Sequence, residues 1–266
     1  VAARHRLPQF KGGLGGVVGN VQVIGRVLLV QHRAVCGTQK SQNQFSVGEF
    51  FRRFPVFRSK NPIQRGKNAV AAVPQLLEEQ RALVLVTDGN TAPLAGDALA
   101  QTLTAAGHAV HRAHFATTDV VVPNEDAVAF IQAQLNPDVT ALVGVGSGVI
   151  NDLCKYVSFK NDLPYYIVAT APSMDGYASV GSALILGGMK VTLNAAPPKA
   201  IIAEPKVLAT APTPMLQSGY GDIIGKYSCL NDWKLARIIK DEYFCDEVYE
   251  LTMSCVKEVE PLAKAV

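Results

Sequence analysis

The sequence lacks the residues on which several kinds of site depend. All five histidines precede residue 115, and no G-x-S-x-G motif is present, so Ser/His/Asp hydrolase chemistry finds no support. His111 and His114 have helical spacing but lie in a stretch with the pattern of a strand, which argues against a metal pair there. Neither a hydrolase triad nor a histidine pair at this stretch is therefore expected.

Paired cysteines and long apolar runs are also missing. The five cysteines are an odd number, they are widely spaced, and they form no C-x-x-C pair. This pattern argues against a disulfide framework or a zinc ribbon and favours a reducing compartment, so we predict a cytoplasmic protein. No apolar run approaches the ~20 residues that a membrane helix needs, and no membrane span is predicted.

Charge is distributed unevenly along the 266 residues. Residues 1–60 hold ten Lys/Arg and one acid, Glu49, whereas the remainder holds 15 basic and 21 acidic residues, a net charge of −6. A net negative region binds nucleic acid poorly through its overall field, so nucleic acid is not expected as a partner. We interpret residues 1–60 as a basic segment that is disordered or not native to the fold; a transit sequence and a basic binding arm are the alternatives.

What the sequence does contain is a run of closely spaced glycines. Residues 141–143 are apolar, Gly144, Gly146 and Gly148 follow at alternate positions, and a helical pattern begins at Val149. This order predicts a strand, a tight turn and a helix whose first N–H groups can bind an anion such as a pyrophosphate. Val149 stands where the usual dinucleotide fingerprint has its third glycine, and no Gly-Lys-Ser/Thr follows, so an ordinary strand-to-helix turn is the alternative.

Strands and helices alternate from residue 61 onward. The predicted strands are mostly short apolar runs, typical of burial on both faces, and the predicted helices show an apolar residue every three or four positions. The strands are 82–87, 109–115, 141–146, 165–170, 183–187, 190–193 and 200–203, and the helices are 69–79, 93–106, 124–135, 215–230, 231–240 and 245–259. We predict an α/β fold with a Rossmann-like parallel sheet in residues 61–211, followed by an all-helical domain in residues 212–266. The helical domain ends without a capping signal and is expected to be truncated.

Polar residues follow several of the predicted strands. Asp88 follows the first strand, the glycine turn follows the third, and Asp175 lies in a loop of small residues after the fourth. Ligands of parallel α/β sheets bind beyond the carboxyl ends of the strands, so we expect these residues to face one cleft. For Asp175 the alternative to a ligand contact is an Asx-turn that stabilises its own loop.

Two further acid and lysine pairs stand at helical spacing. Asp222 follows two glycines and is expected at or just inside a helix start, where it either contacts a ligand or caps the helix. Lys226 lies four residues later on the same helical face, so it either forms a surface ion pair or contacts a phosphate. Lys155, three residues after Asp152, has the same ambiguity.

Three stretches of the chain resemble a known family. In order they are GVGSGVINDLCKY, ATAPSMDGYASVGSAL and SGYGDIIGKYSCLNDWKL, and the similarity covers about residues 62–258. They closely resemble the sn-glycerol-1-phosphate dehydrogenases, within the wider superfamily of iron-containing alcohol dehydrogenases, glycerol dehydrogenases and dehydroquinate synthases. The resemblance implies an oxidoreductase that interconverts sn-glycerol 1-phosphate and dihydroxyacetone phosphate, with NAD or NADP and a divalent metal ion: zinc, or else nickel or iron.

The family pattern also implies roles for individual residues. Asp175 and Asp222 are implied as catalytic and substrate-binding residues, and Asp222 also as a metal ligand. The substrate phosphate needs a cation or a helix N-terminus, and Lys226 is our candidate for that contact. Asp88 is implied to meet the adenosine ribose, where a carboxylate favours NAD over NADP. The cofactor contacts implied in all are Asp88, Gly146, Ser147, Gly148, Asp152, Thr170, Ser173 and Ser179.

The sequence departs from the family pattern in its helical part. The pattern has two histidines after Asp222 and this sequence has none, so a single aspartate is too few for a catalytic zinc site. We therefore expect this chain to bind metal poorly, whereas a complete relative would bind metal and form a homo-oligomer. Alternative functions are a glycerol dehydrogenase or dehydroquinate synthase-like enzyme, or an inactive fragment or nucleotide-binding remnant.

Overall fold

A computed structural model describes residues 69–264, so the predictions for residues 1–60 lie outside the described residues. The strands are β1 Ala82–Asp88, β2 Ala109–Phe115, β3 Val139–Gly146, β4 Tyr165–Ala169, β5 Gly181–Leu186, β6 Met189–Asn194 and β7 Ala200–Ala203. The α-helices are α1 Val73–Leu76, α2 Asp97–Ala105, α3 Glu125–Gln132, α4 Gly148–Lys160, α5 Pro205–Leu208, α6 Thr213–Ile224, α7 Lys226–Lys240 and α8 Asp246–Val259. None of the helices in this range combines the length and apolar character that crossing a membrane requires.

Five strands form a parallel sheet in the order β2-β1-β3-β4-β7. A helix connects β1 to β2, β2 to β3 and β3 to β4, whereas the β5 and β6 strands lie between β4 and β7. The helices α6, α7 and α8 follow the sheet as a purely helical region. The predicted α/β class, with a Rossmann-like parallel sheet followed by helices, is therefore confirmed. The two predicted hairpin strands, β5 and β6, pair antiparallel as a separate two-stranded sheet.

The hydrophobic core lies on both faces of the parallel sheet. Alternate residues of each strand point to opposite faces, so Val84 packs on the side of α3 and α4 whereas Leu83 packs on the side of α1 and α2. Both residues are fully buried. A smaller core in the helical region contains Ile223 of α6 with Cys255, Val256 and Val259.

The predicted helix 69–79 is shorter than expected. A 3-10 turn at Val70–Ala72 leads into the four residues of α1, and Leu77 leaves the helical conformation with φ −111°. Pro74 explains why the α-helix begins as late as Val73, because proline has no N–H and is tolerated in the first turn of a helix. The predicted helix 93–106 begins instead as a π-helix, Ala92–Gly96, and continues as α2.

The helical region also corrects two predictions. The chain breaks between α6 and α7 at Gly225 instead of at residues 230 and 231, which glycine's poor helix propensity explains. Asp222 was expected at or just inside a helix start, but it lies near the C-terminal end of α6. The helix begins earlier than expected, at Thr213, where Pro214 suits a first-turn position.

The β5–β6 hairpin docks on the helices beside the parallel sheet. Its turn is formed by Gly187 and Gly188, whose φ angles of +57° and +77° are accessible mainly to glycine. The Gly187 N–H donates to Glu125 Oε1 of α3 at 2.6 Å, and the Ile185 N–H donates to the Pro123 carbonyl at 2.8 Å. The hairpin is therefore fastened to α3 and to the residues just before that helix.

Candidate active site

The carboxyl ends of β1, β3, β4 and β7 lie at one edge of the sheet. Gly146 at the end of β3 pairs with Ala169 at the end of β4, and Ala169 pairs with Ala203 at the end of β7. Asp88 ends β1, which runs parallel beside β3. The strand order therefore places Asp88, the glycine turn and the loop after β4 at the same edge, as the sequence predicts.

The turn between β3 and α4 has the form of an anion-binding site. Ser147 occupies the N-cap position of α4 but its side chain does not bond to the first turn of the helix. The N–H groups of that turn are therefore without a side-chain cap, and they carry the positive end of the helix dipole. A Cβ on Gly146 would lie 2.5 Å from Ile150 Cβ, so this glycine lets α4 start directly against the strand. The turn fits a dinucleotide pyrophosphate.

Ser147 joins the glycine turn to the loop that follows β4. Its hydroxyl lies 2.6 Å from the Ser173 hydroxyl, which is a short hydrogen bond between two of the predicted cofactor residues. The buried Tyr177 hydroxyl donates to the Ala171 carbonyl at 2.8 Å and so fastens the same loop from within. Burial raises the pKa of Tyr177, so this hydroxyl stays protonated as a donor.

Asp175, Asp222 and Lys226 form a compact charged group, here called the acid–lysine cluster. The Asp175 N–H donates to Asp222 Oδ2 at 2.7 Å. Lys226 Nζ lies 2.7 Å from Asp175 Oδ2 and 3.6 Å from Asp222 Oδ1. The side chains of Asp175 and Lys226 are only 6% and 18% exposed. Two residues that are 47 positions apart in the chain are thus in direct contact.

The cluster is electrostatically unbalanced. Burial raises the pKa of Asp175 despite the neighbouring Lys226 ammonium, and the charge on Asp222 adds to this rise. Burial alone would lower the pKa of Lys226, but its contacts with Asp175 and Asp222 raise the pKa overall, so the lysine stays charged. Asp175 Oδ2 is buried and is contacted by the Lys226 ammonium at 2.7 Å, and a carboxylate oxygen has a second lone pair. An additional donor, such as a substrate hydroxyl, would therefore be stabilised there.

The predicted residues Asp152 and Ser179 lie next to a buried lysine. Asp152 Oδ2 accepts from the Ala183 N–H at 3.2 Å, and Oδ1 accepts from the Asn151 side chain at 3.1 Å. The Ser179 hydroxyl lies 3.1 Å from Lys155 Nζ and donates to the Gly176 carbonyl. These contacts hold protein groups together, so the cofactor roles of Asp152 and Ser179 stay predictions.

Asp88 and Thr170 are also used by the protein itself. Asp88 Oδ1 accepts from the N–H groups of Asn90 and Thr91 at 2.9 and 2.8 Å, which closes the turn after β1. The buried Thr170 donates its N–H to the Gly146 carbonyl and extends the pairing of β3 with β4. Their predicted contacts with the cofactor likewise stay predictions.

Two close approaches at this site involve partners that the sequence does not identify. A Cβ on Gly219 would lie 1.8 Å from the Pro172 carbonyl oxygen, so α6 touches the loop after β4 backbone to backbone. Met174 Sδ would lie 3.1 Å from a Cβ on Gly148, which places the methionine beside the glycine turn. The two glycines before Asp222 do indicate a close approach, but the partner is this loop at Gly219, and Gly221 faces open space.

The described residues do not complete a metal site. Residues 69–264 contain no group of three or more His, Cys, Asp or Glu side chains arranged to hold a metal ion. Asp222 is bonded to the Asp175 N–H and lies close to the Lys226 ammonium. His111 and His114 belong to β2, which two other strands separate from β4. By themselves these residues do not fit a divalent ion, which needs three protein ligands in a catalytic zinc site.

Comparison with known proteins assigns the family. Residues 64–212, more than half of the chain, match the family described as iron-containing alcohol dehydrogenase. The chain belongs to the iron-containing alcohol dehydrogenase family. The turn after β3, the loop after β4 and the acid–lysine cluster are therefore features of a member of this family.

Curated relatives narrow the similarity. The chain is 33% identical over 192 residues to the glycerol-1-phosphate dehydrogenase (NAD(P)+) of Geobacillus thermodenitrificans, which covers 70% of this chain and 48% of that protein. It is 32% identical over 176 residues to the enzyme of the same name from Methanosarcina mazei, covering 66% of this chain and 48% of that protein. The chain thus spans about half the length of these curated relatives.

Solved structures of dehydrogenases share the fold of this chain. Glycerol dehydrogenase from Schizosaccharomyces pombe aligns with a TM-score of 0.54 at 18% identity, over 73% of this chain and 58% of that chain. NADH-dependent butanol dehydrogenase A from Thermotoga maritima aligns with a TM-score of 0.55 at 15% identity, over 74% of this chain and 60% of that chain. At these identities the likeness shows the fold alone.

Proposed function

We propose that this chain forms the cofactor-binding part and a portion of the substrate site of an NAD(P)-dependent dehydrogenase. The reaction interconverts sn-glycerol 1-phosphate and dihydroxyacetone phosphate. The proposal rests on one observation above all: the glycine turn, the loop after β4 and the acid–lysine cluster lie together through the Ser147–Ser173 and Asp175–Asp222 contacts. The relatives named glycerol-1-phosphate dehydrogenase add the substrate class.

The glycine turn supports the proposed cofactor site. The start of α4, formed by Gly146, Ser147 and Gly148, has no side-chain cap. The pyrophosphate of NAD or NADP would accept hydrogen bonds from its N–H groups. Ser173 stands opposite Ser147 and can donate to the same phosphates or to the ribose. When bound, the nicotinamide accepts or returns the hydride that the reaction moves. Cofactor roles for Asp88, Asp152, Thr170 and Ser179 belong to the same proposal.

The acid–lysine cluster supports the proposed substrate site. Asp175 Oδ2 contacts Lys226 and has a second lone pair, so it can accept a hydrogen bond from a hydroxyl of the glycerol backbone and fix its orientation. Lys226, which also contacts Asp175 and Asp222, can bind the substrate phosphate through charge-assisted hydrogen bonds from its ammonium. Asp222 holds the Asp175 backbone in place through the 2.7 Å hydrogen bond. The residues therefore bind and orient a phosphorylated polyol.

The metal ion, the oligomeric state and the cellular compartment are further parts of this proposal. Asp222 is proposed as one ligand of a divalent ion, with zinc first and nickel or iron as alternatives. A homo-oligomer and a cytoplasmic location are kept as predictions.

The test measures NADH and NADPH oxidation by the natural full-length protein with dihydroxyacetone phosphate, with and without added Zn²⁺ or Ni²⁺. Asp175→Asn is expected to lower kcat/KM by about 10–100-fold, because a neutral amide replaces the carboxylate that accepts the hydrogen bond of the substrate. Asp232→Asn, which makes the same charge change at an exposed position of α7, serves as the matched control and should leave kcat/KM unchanged.

A substrate panel decides between the proposed reaction and its relatives. Glycerol, dihydroxyacetone and a phosphorylated keto acid are assayed beside dihydroxyacetone phosphate under the same conditions. Preference for glycerol would point to a glycerol dehydrogenase, and turnover of the keto acid to a dehydroquinate synthase-like enzyme. No oxidation of either cofactor with any substrate and metal would refute the proposal.

A further inference from the structure

Lys155 is a fully buried lysine in the middle of α4, with a side-chain exposure of 0%. Its ammonium faces three oxygens of the loop after β4: the Gly176 carbonyl at 3.3 Å, the Ser179 hydroxyl at 3.1 Å and the Gly181 carbonyl at 2.9 Å. An ammonium has three N–H donors, so these oxygens use all of them. The lysine therefore binds one short segment, residues 176–181, to the helix that begins at the glycine turn.

Packing alone does not explain a lysine at this position. Burying an ammonium carries a large desolvation penalty, and a well-packed apolar side chain of similar size is often as stable or more so. Within residues 69–264 the carboxylate that pairs with Lys155 is Asp152, whose Oδ1 is 3.7 Å away and is shared with the Asn151 amide. Burial accordingly lowers the pKa of Lys155, against the opposing charge of Asp152. What the ammonium adds over an apolar side chain is a fixed position for three loop oxygens.

The segment that Lys155 binds connects directly to the acid–lysine cluster. Gly176 follows Asp175, and the 3-10 turn Gly176–Ala178 begins at that aspartate. On the other side, the Ser182 hydroxyl donates to the Asp152 carbonyl at 2.8 Å and the Ala183 N–H donates to Asp152 Oδ2. The same face of α4 thus holds residues 176–183 through two side chains and one carbonyl. Lys155 itself does not touch Asp175.

We propose that Lys155 is a positioning residue that fixes the loop after β4 to α4. The Asp175 carboxylate and the glycine turn then keep a constant separation. This inference rests on the proposed function for its catalytic consequence. The geometric part stands on the three loop contacts alone. Because α4 starts at the glycine turn, a shift of the loop relative to α4 would move Asp175 relative to the bound nicotinamide.

The experiment compares the full-length wild-type protein with Lys155→Met by hydrogen exchange of peptides that cover residues 172–183. Methionine matches the length of the lysine stem and removes the buried ammonium, while Asp152 keeps its hydrogen bonds from Asn151 and Ala183. Exchange in this segment is expected to become about tenfold faster, because three hydrogen bonds that restrain local opening are lost. Peptides that cover β1 and β3 should exchange as in the wild type.

The second readout is the kinetics with dihydroxyacetone phosphate. A misplaced Asp175 should raise the KM for this substrate by about tenfold, while the dissociation constant of NADH, measured by fluorescence, changes little. Lys160→Met, at an exposed lysine in the last turn of the same helix, is the matched control and should change neither readout. If Lys155→Met does not fold, Ser179→Ala replaces it in the test. This variant keeps the ammonium, removes one of its three acceptors and should accelerate exchange in the same peptides.

The outcomes separate the two proposals. Faster exchange confined to residues 172–183, with a raised KM, supports the positioning role. Unchanged exchange in the folded Lys155→Met protein, or in Ser179→Ala where that variant is needed, overturns the role. Faster exchange with unchanged KM and kcat also overturns it, since the loop would then not set the position of Asp175. A wild-type protein that is inactive refutes the proposed function instead, and exchange alone then decides about Lys155.

Discussion

At the scale of single residues, Gly219 and Gly221 show how different two glycines of one helix can be. A Cβ on Gly219 would lie 1.8 Å from the Pro172 carbonyl oxygen, which is backbone and has little room to move. We predict that Gly219→Ala lowers the free energy of unfolding by roughly 3 kcal/mol, because the helix must move away from the loop. Urea unfolding followed by circular dichroism measures this change.

Gly221 supplies the control for this prediction. A Cβ there would meet no atom within 4 Å, and alanine favours a helix over glycine by about 1 kcal/mol. Gly221→Ala should therefore leave the protein equally stable or make it slightly more stable. Similar losses for both variants would show that the close contact with Pro172 does not set the cost.

The hydrogen bond between Glu125 and Gly187 should make the stability of the protein depend on pH. Its carboxylate accepts the Gly187 N–H at 2.6 Å, and this bond lowers the pKa of Glu125 below its ordinary value. A lowered pKa in the folded state stabilises the protein above the ordinary pKa, and this stabilisation is lost as the pH falls through the folded-state pKa. Glu125→Gln should thus be less stable than the wild type at pH 7 and equally stable near about pH 2.

Thermal unfolding of both proteins between these pH values measures the Glu125 effect. Asp126→Asn removes a neighbouring acid from the first turn of α3 without removing a bond to the hairpin, so it isolates the general effect of charge at a helix N-terminus. A stability difference between wild type and Glu125→Gln that does not shrink on acidification would contradict the prediction.

Sequence reasoning at this scale found residues but not all of their contacts. Asp175 and Asp222 were predicted as one site from their motifs, and the structure joins them by a hydrogen bond. For Lys155 the sequence allows two interpretations, because the spacing of Asp152 and Lys155 is the same for an exposed ion pair and for a buried lysine that binds a loop. Which of the two occurs depends on the β5–β6 hairpin, which packs over α4 from 20 or more residues further along the chain.

At the scale of elements, the turn between β3 and α4 carries the sharpest steric requirement. A Cβ on Gly146 would lie 2.5 and 2.6 Å from Ile150 Cβ and Cγ1, so Gly146→Ala must push the start of α4 away from the sheet. We predict that this variant weakens NADH binding by at least about tenfold, because the N–H groups of the first turn lose their aim at the pyrophosphate. Fluorescence titration with NADH measures the dissociation constant.

Gly148→Ala is the matched comparison within the same turn. The nearest atom to its Cβ would be Met174 Sδ at 3.1 Å, in a flexible side chain that can rotate away. This variant should weaken NADH binding clearly less than Gly146→Ala. If the two variants bind NADH equally well, close packing of α4 on β3 is not what shapes the site.

The strands were predicted more accurately than the helix ends, and the reason is physical. Fully buried strands such as β1 and β4 are recorded in the sequence as continuous apolar runs. The break at Gly225 and the shortening of α1 depend on single glycine and proline residues, whose effects compete with favourable periodicity on both sides. The π-helix at Ala92–Gly96 lies against β1, where a Cβ on Gly96 would be 2.6 Å from Thr87 Cγ2, and no local pattern predicts that contact.

At the scale of the whole molecule, the site lies where the sheet and the helical region meet. The Gly219–Pro172 approach and the acid–lysine cluster both join α6 and α7 to the loop after β4. The helical region has its own small core, which is separate from the two cores of the sheet. The charged cluster is therefore placed to couple the unfolding of the two regions.

This coupling can be measured because the sequence has one tryptophan, and Trp233 lies in α7. Its fluorescence reports on the helical region, whereas circular dichroism reports on the whole chain. In the wild type we expect both probes to show one urea transition, since the Lys226–Asp175 ion pair joins the two regions, whereas the Lys226–Asp222 pair lies within the helical region. Lys226→Met removes these pairs and leaves the buried Asp175 without its compensating charge, so the Trp233 transition should move to lower urea by an amount equivalent to about 1–3 kcal/mol.

Lys240→Met, at the exposed last residue of α7, removes the same charge without touching the cluster and should keep the two transitions together. Coincident transitions in Lys226→Met would mean that the Gly219–Pro172 contact alone couples the regions. In that case Gly219→Ala should separate the two probes instead, and the electrostatic cluster would serve ligand binding without contributing to cooperativity. The pair of variants thus decides whether charge or close backbone packing makes the sheet and the helices unfold as one unit.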